Sequence, residues 1–247
     1  MKISNLEYQK FSKQIILKKF GIYGQKKIKS SRVLIIGMGG LGCPLSIYLS
    51  SLGVGAIGIV DNDKVELSNL NRQIVYNIND VGKNKVDIAK KKIKSINNKC
   101  KIKSYKTRAD KSNIEKLIKN FDIICDGTDN FETRLLINDH CLKQKKILIS
   151  AAVSGFDGHI FKFDFRKKTS CYRCFMPEIP LQNNNCEAEG VTPTITGIIG
   201  TLQANEVLNS ILSFKSNMEK KMIIFNSIKM SFRKVNLSRN KNCKNQC

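Results

Sequence analysis

The first strongly patterned stretch of the chain is Val33 to Ile36, a short unbroken apolar run of the kind that a strand buried on both faces of a parallel sheet requires. Leu41, Leu45, Tyr48 and Leu52 then recur at helical spacing, and Ala56 to Val60 is a second apolar run. Strand, helix and strand in this order make a βαβ unit. Upstream, Tyr8, Phe11 and Ile15 share one face of a helix predicted over Ser4 to Leu17. Downstream the alternation continues. Lys83 to Ile96 is a helix with Val86, Ala89 and Ile93 as its apolar stripe, Lys101 to Tyr105 a strand, and Asn113 to Ile118 a helix. Phe121 to Cys125 is a further strand, followed by a helix over Phe131 to Leu142 and a strand over Ile147 to Ser150.

After Ser150 the pattern changes. Ile160 to Phe165 alternates strictly, with Phe161, Phe163 and Phe165 on one side and Lys162 and Asp164 on the other, which predicts half-exposed antiparallel strands. A long helix over Thr194 to Leu212 and closing strands over Met222 to Phe225 and Met230 to Val235 follow. The expected fold class is α/β: a Rossmann-like, mostly parallel sheet that continues into antiparallel strands. The length of 247 residues suits one domain, with 1–30 as a helical arm, 31–150 as the nucleotide-binding part and 151–247 as the antiparallel part.

Chemistry enters at the joint of the βαβ unit. Gly37-Met-Gly39-Gly40-Leu-Gly42 lies between the first strand and its helix, where glycines let the backbone approach a phosphate and the helix start offers unpaired N–H groups. Asp61 stands at the carboxyl end of the second strand, the place of a ribose in a doubly wound sheet. The glycine motif alone fits nicotinamide and flavin dinucleotides, so a dinucleotide oxidoreductase is one reading. Two other features widen the choice. Lys85 falls in the first turn of its helix, against the helix dipole, which a bound phosphate would explain. Asp129 lies just beyond a strand's carboxyl end, where ligands bind; a turn acid or helix cap is the alternative.

Composition changes the picture less than it first promises. Lys and Arg total 43 against 20 acidic residues, a formal charge of +23. Only eight of the basic residues are arginine, and the lysines run along the whole chain with Asn and Ile, so solvated helix faces explain the excess better than a nucleic-acid footprint. Such a surface favours an acidic protein partner. No apolar run reaches the length of a membrane span and the first residues lack a secretory h-region, so the expected location is a reducing cytoplasm with no membrane partner. The nine cysteines are then thiols, metal ligands or catalysts.

The ordered set Gly37-x-Gly39-Gly40-Leu-Gly42, Asp61-x-Asp63, Ser68-Asn69-Leu-x-Arg72-Gln73, Lys85, Thr128-Asp129-Asn130, Cys171-x-x-Cys174, Cys186 and Gly200-Thr-Leu-Gln-Ala resembles the adenylylating enzymes of ubiquitin-like sulfur carriers: MoeB, ThiF and HesA. The resemblance implies transfer of AMP from ATP to the terminal glycine carboxylate of a MoaD-like or ThiS-like carrier. Arg72 and Lys85 would then be cations on phosphate, Asn69 and Gln73 neutral donors, Asp61 the ribose ligand with Asp63 in support, and Asp129 beside Asn130 the Mg2+ ligand. It also implies a homodimer in which the first helix lends a basic residue to the partner's site. Here Lys13 stands at that position, with lysine where the family has arginine. Residues 151–247 would bind the carrier and a metal, and a separate sulfur-donor protein would supply sulfur. A noncatalytic carrier-binding module is the remaining alternative.

Two groups of cysteines need separate readings. Cys171 and Cys174 with Cys243 and Cys247 make two closely spaced pairs, suited to a structural Zn2+; four free thiols are the alternative. Cys186 lies in a polar loop beside Glu187 and Glu189, which do not favour a thiolate; it is either a covalent carrier site, as the resemblance implies, or a plain loop cysteine. Cys43, Cys125 and Cys141 sit in apolar or helical settings and are expected to be buried, and His140 and His159 have no ligand spacing.

Overall fold

The computed structural model describes residues 2–178, 190–216, 218 and 220–247. One eight-stranded sheet runs through it in the order β3-β2-β1-β4-β5-β6-β7-β8. The first five strands are β1 (Arg32–Ile36), β2 (Ala56–Val60), β3 (Lys101–Tyr105), β4 (Ile123–Asp126) and β5 (Ile147–Ser154), all parallel. β6 (Asp157–Asp164), β7 (Lys221–Asn226) and β8 (Ser231–Asn236) continue antiparallel, beginning along the full length of β5. The chain turns back between β3 and β4, so the sheet has its topological switch point between β1 and β4.

Helices cover both faces. They are α1 (Asn5–Ile15), α2 (Gly21–Ser30), α3 (Gly42–Leu52), α4 (Lys85–Ile96), α5 (Ile114–Lys119), α6 (Phe131–Lys143), α7 (Tyr172–Phe175) and α8 (Pro193–Leu212). One core lies between the sheet and the side chains of α2, α3, α4 and α8, including Ile28, Leu45, Leu49, Val86, Ile93 and Ile199. The second core gathers Ile114, Leu135, Ile137, the phenylalanine ladder of β6, and Tyr172. Among the described residues, no helix is long and apolar enough to cross a membrane.

The expected elements are present, and the differences have local causes. Ser4 is the cap of α1 rather than part of it, in a reciprocal box with Glu7, and Phe11 and Ile15 are buried while Tyr8 is exposed. Tyr48 likewise points outward from α3, leaving Leu45 and Leu49 as its buried stripe. α2 was hidden by its weak pattern, GIYGQKKIKS, which buries only Gly24, Gln25 and Ile28. The strand β6 is not half exposed. Its Phe161 and Phe163 face the second core, and on the other side Lys162 is buried, with Nζ donating to Glu206 Oε1 of α8 at 2.6 Å. The alternation is present, but α8 covers the polar side. Glu206 also accepts from Ser216 Oγ and Asn209 Nδ2, so the buried charge pair keeps hydrogen-bond partners.

Candidate functional site

The carboxyl ends of β1, β2 and β4 meet at the switch point, and most of the residues singled out in the sequence lie there. Gly37 leaves β1 with φ +93, and its N–H still donates to Val60 O of β2 at 2.9 Å. A Cβ at Gly42, the last of the glycines, would fall 2.1 Å from Gly37 O, so the turn closes only without one. Gly42→Ala is therefore expected to cost about 3 kcal/mol or more through forced backbone movement, measured as a fall in the urea midpoint; an unchanged midpoint would contradict the tight turn.

Asp61 follows β2 and binds the glycine turn directly. Its Oδ2 accepts Met38 N–H at 2.7 Å and its Oδ1 accepts Asp63 N–H at 2.8 Å. Burial pushes its carboxyl up from the ordinary value, opposed by those two N–H groups and the charge of Lys85. Behind the turn, Tyr76 Oη donates to Met38 O at 2.8 Å, and burial of Cys43 pushes its thiol up to about 12. Cys43, Cys125 and Cys141 are all buried, as expected.

The segment 62–84 winds past this end of the sheet through short turns at Leu67–Asn69 and Ile78–Asp80. Asn69 and Gln73 are buried there, and Gln73 Oε1 is a buried acceptor without a partner among the described residues. Gln73 Nε2 lies 3.9 Å from the position of a Cβ on Gly39, which places the amide beside the turn. Arg72 is partly exposed and folded back, its Nη1 donating to Ser68 O at 3.0 Å and Asn71 Oδ1 at 3.1 Å. Lys85 is the first residue of α4 and is buried; its Nζ donates to Asp63 Oδ2 at 2.9 Å. That ion pair accounts for a lysine at a helix start, and it leaves the ammonium close to Asp61 and the turn.

On the other side of β1, Gly127 packs against Gly37, where a Cβ on Gly37 would meet Gly127 O at 2.8 Å. Beyond it Asp129 is exposed, and Asn130 caps α6 by accepting Thr133 N–H at 2.9 Å. The cap is thus Asn130 rather than Asp129, whose carboxylate accepts only from Asn130 Nδ2, at 3.2 Å, among the described residues.

Three residues of this region, Asp126, Arg134 and Gln203, have no role assigned from the sequence alone. Asp126, the last residue of β4, is fully buried and accepts from Ser150 Oγ at 2.6 Å, Thr128 N at 2.9 Å and Thr128 Oγ1 at 2.6 Å. Arg134 of α6 pairs with it, Nε lying 3.2 Å from Oδ2. Gln203 of α8 donates to both Asp126 O and Ile149 O, tying α8 to the end of β4 and to the neighbouring β5. The available signal is an acid ending an apolar strand and an arginine in the first half of the helix that follows.

Two expected site residues are not joined to this cluster. Lys13 is exposed on α1, and its neighbour Gln14 donates to Leu52 O, at the end of α3 opposite the glycine turn, about 16 Å away by helix length. Cys186 lies outside the described residues, as do Glu187 and Glu189.

A second cluster sits beneath the phenylalanine ladder. The sulfur atoms of Cys171, Cys174, Cys243 and Cys247 all lie within 4.8 Å of one another, with Cys171–Cys243 at 3.6 Å and Cys174–Cys247 at 3.2 Å. Four thiolates around one Zn2+ at 2.3 Å would be about 3.8 Å apart, so the donor set and spacing fit that ion. The surrounding bonds tie the cluster to α6. Asp139 holds the Arg173 guanidinium and accepts from Asn245 Nδ2, whose other contact is Cys171 Sγ at 3.7 Å. Asn138 Oδ1 accepts Tyr172 N–H at 2.8 Å.

The ThiF family profile matches residues 11–245. A Porphyra purpurea protein called a probable molybdopterin-synthase adenylyltransferase is 43% identical over 234 residues, which are 94% of this chain and 61% of that one. The Culex quinquefasciatus protein called adenylyltransferase and sulfurtransferase MOCS3 is 39% identical over 238 residues, covering 96% of this chain and 54% of its own. The chain thus spans less than two thirds of the length of these curated relatives. Among solved structures, E. coli MccB with ATP superposes at a TM-score of 0.79 and 25% identity, over 89% of this chain and 68% of that one.

Proposed function

Because this chain belongs to the ThiF family, we propose that it adenylylates the terminal glycine carboxylate of a small ubiquitin-like sulfur carrier, MoaD-like or ThiS-like, using ATP. The observation that carries the reading is the convergence, at one switch point, of the glycine turn, Asp61, Lys85 and the Asp129 turn. The name of the Porphyra purpurea relative favours a molybdopterin-synthase carrier. The nicotinamide alternative has less support, since neither relative named above is called an oxidoreductase.

The chemistry follows from charge. The carrier's carboxylate is ionised at neutral pH and attacks the α-phosphorus without a general base, and pyrophosphate leaves. Two anions must approach each other, so Lys85 and Arg72 neutralise charge while N–H groups near Gly39 and Gly40 hold phosphate oxygens. Asp61, fixed by two backbone N–H groups, takes the ribose hydroxyls, and Asp63 keeps Lys85 aimed at the site. Asn69 and Gln73 supply neutral hydrogen bonds, and the unpartnered Gln73 Oε1 suits a hydroxyl or amino donor of the nucleotide. Asp129 fits Mg2+, an ion that takes one or two carboxylates and keeps water and phosphate as its other ligands. Bound there, the ion would offset the charge of the phosphates. The four cysteines hold Zn2+ in a structural role, with no open coordination position. Cys186, if it joins the carrier covalently, acts in sulfur transfer after adenylylation, with a separate protein as sulfur donor; cytoplasmic residence suits this chemistry.

The active unit is a homodimer with shared sites. Lys13 is remote from its own chain's glycine turn, and Ile16, Leu17, Ile22 and Tyr23, which follow it in the chain, are exposed apolar side chains. Lysine supplies the charge of the family arginine but not its planar fork. Lys13→Ala should lower ATP–pyrophosphate exchange, and coexpression with an Asp129→Ala chain should recover about a quarter of wild-type activity in a two-fold dimer. No recovery in a verified mixed dimer would refute the shared site. The reading as a whole is tested by exchange with purified protein, Mg2+ and each carrier.

A further inference from the structure

Arg134 is almost completely buried at the point where four parts of the structure meet. Its Nε pairs with Asp126 of β4, its Nη2 donates to Thr128 O of the following turn at 2.7 Å and to Ala151 O of β5 at 3.0 Å, and its Nη1 donates to Tyr172 Oη of α7 at 3.4 Å. The guanidinium also lies 5.7 Å from the centre of the Tyr172 ring. A planar fork can serve these directions at once, whereas an ammonium cannot. Thr128, held from below by Asp126 and from the side by Arg134, is the residue before Asp129. Tyr172 lies between Cys171 and Cys174 and is fixed in turn by Asn138 of α6.

We propose that Arg134 is a positioning residue that holds the 127–130 turn in the shape presenting Asp129, and that the short helix α7, which carries Cys174 and is capped by Cys171, steadies it through Tyr172. The four-cysteine cluster and the Asp129 turn then move as one unit, although the turn precedes α6 and the cluster is tied to Asn138 and Asp139 in its second half. This rests on the adenylylating reading of the Asp129 turn. It gives the buried charge of Arg134 a task beyond packing, because two of its contacts, to Asp126 and Thr128 O, hold the turn while those to Ala151 O and Tyr172 Oη anchor the guanidinium to β5 and α7, and a misplaced metal ligand costs rate more than stability.

The test is Arg134→Lys in the full chain, read in two ways. The Mg2+ concentration for half-maximal ATP–pyrophosphate exchange should rise about tenfold or more and kcat should fall by a similar factor, while carrier KM stays near wild type. Independently of activity, backbone hydrogen exchange at residues 127–130, above all at the Thr128 N–H bonded to Asp126, should accelerate about tenfold, with the central strands unchanged. A folded Arg134→Lys protein with wild-type Mg2+ dependence and wild-type protection overturns the proposal. If that variant does not fold, Tyr172→Phe decides, with an expected change of about threefold in both readouts for the lost hydroxyl bond. No change in either overturns the coupling to α7. If wild-type protein shows no exchange with any carrier, the functional reading fails, and amide protection alone still decides whether Arg134 holds the turn.

Discussion

Asp129→Ala is expected to reduce ATP–pyrophosphate exchange by at least about a thousandfold, because stabilisation of phosphate charge by a bound cation is worth several kcal/mol and each 1.36 kcal/mol is tenfold in rate. The protein should remain folded. Asp129 is exposed and accepts one long hydrogen bond, from Asn130, while the cap of α6 is Asn130 itself and is untouched by the change. The measurement is exchange alongside a thermal melt, with Mg2+ varied. Loss of exchange at an unchanged melting temperature agrees with the account; exchange within about tenfold of wild type would remove Asp129 from the reaction.

Cys171→Ser should have the largest effect on stability. Cys171 is buried among the other three thiols, and its neighbours join the tail residues Cys243, Asn245 and Cys247 to α6. On the proposed zinc reading, loss of the ion would free the tail and leave buried sulfur and oxygen atoms without a shared partner. A loss of about 4 kcal/mol would lower the melting temperature of a protein of this size by about 10 °C. The expected result is one zinc per chain in the wild type by elemental analysis, far less in the variant, and the matching fall in melting temperature. Wild-type protein prepared without chelator that contains no zinc, and a variant that melts with it, would contradict a structural metal.

The two halves of the fold were legible for different reasons. The parallel half announces itself where strands are buried on both faces and helices carry a regular stripe, so β1, β2 and α4 appear within two residues of their expected bounds. The antiparallel half was visible as alternation, but which side of β6 meets solvent depends on α8, a helix that follows it by some thirty residues. A period-two pattern reports two faces and not what covers them, which is why Lys162 was expected outside and lies inside, paired with Glu206. Tyr8 and Tyr48 err the other way: they sit on apolar stripes yet are exposed.

The site shows the same division. Gly37, Gly42, Asp61 and Lys85 could be placed because a turn or a strand end constrains each one locally, and the structure brings them together. Asp126, Arg134 and Gln203 could not, since their importance lies in bonds across long separations: Gln203 to Asp126 and Ile149, Arg134 to Ala151 and Tyr172. A single charged residue on a helix carries no sign of such partners. The four cysteines were an intermediate case, with spacing suggestive in each pair and the pairing of the two pairs visible only in space.

The central claim is tested most directly by ATP–pyrophosphate exchange with purified, zinc-loaded protein, Mg2+ and a MoaD-like or a ThiS-like carrier in turn. The account predicts carrier-dependent exchange with one of the two, lost when the carrier's terminal glycine is removed. A folded, zinc-loaded protein that catalyses no exchange with either carrier would contradict it, and would leave a module that binds its partner without activating it.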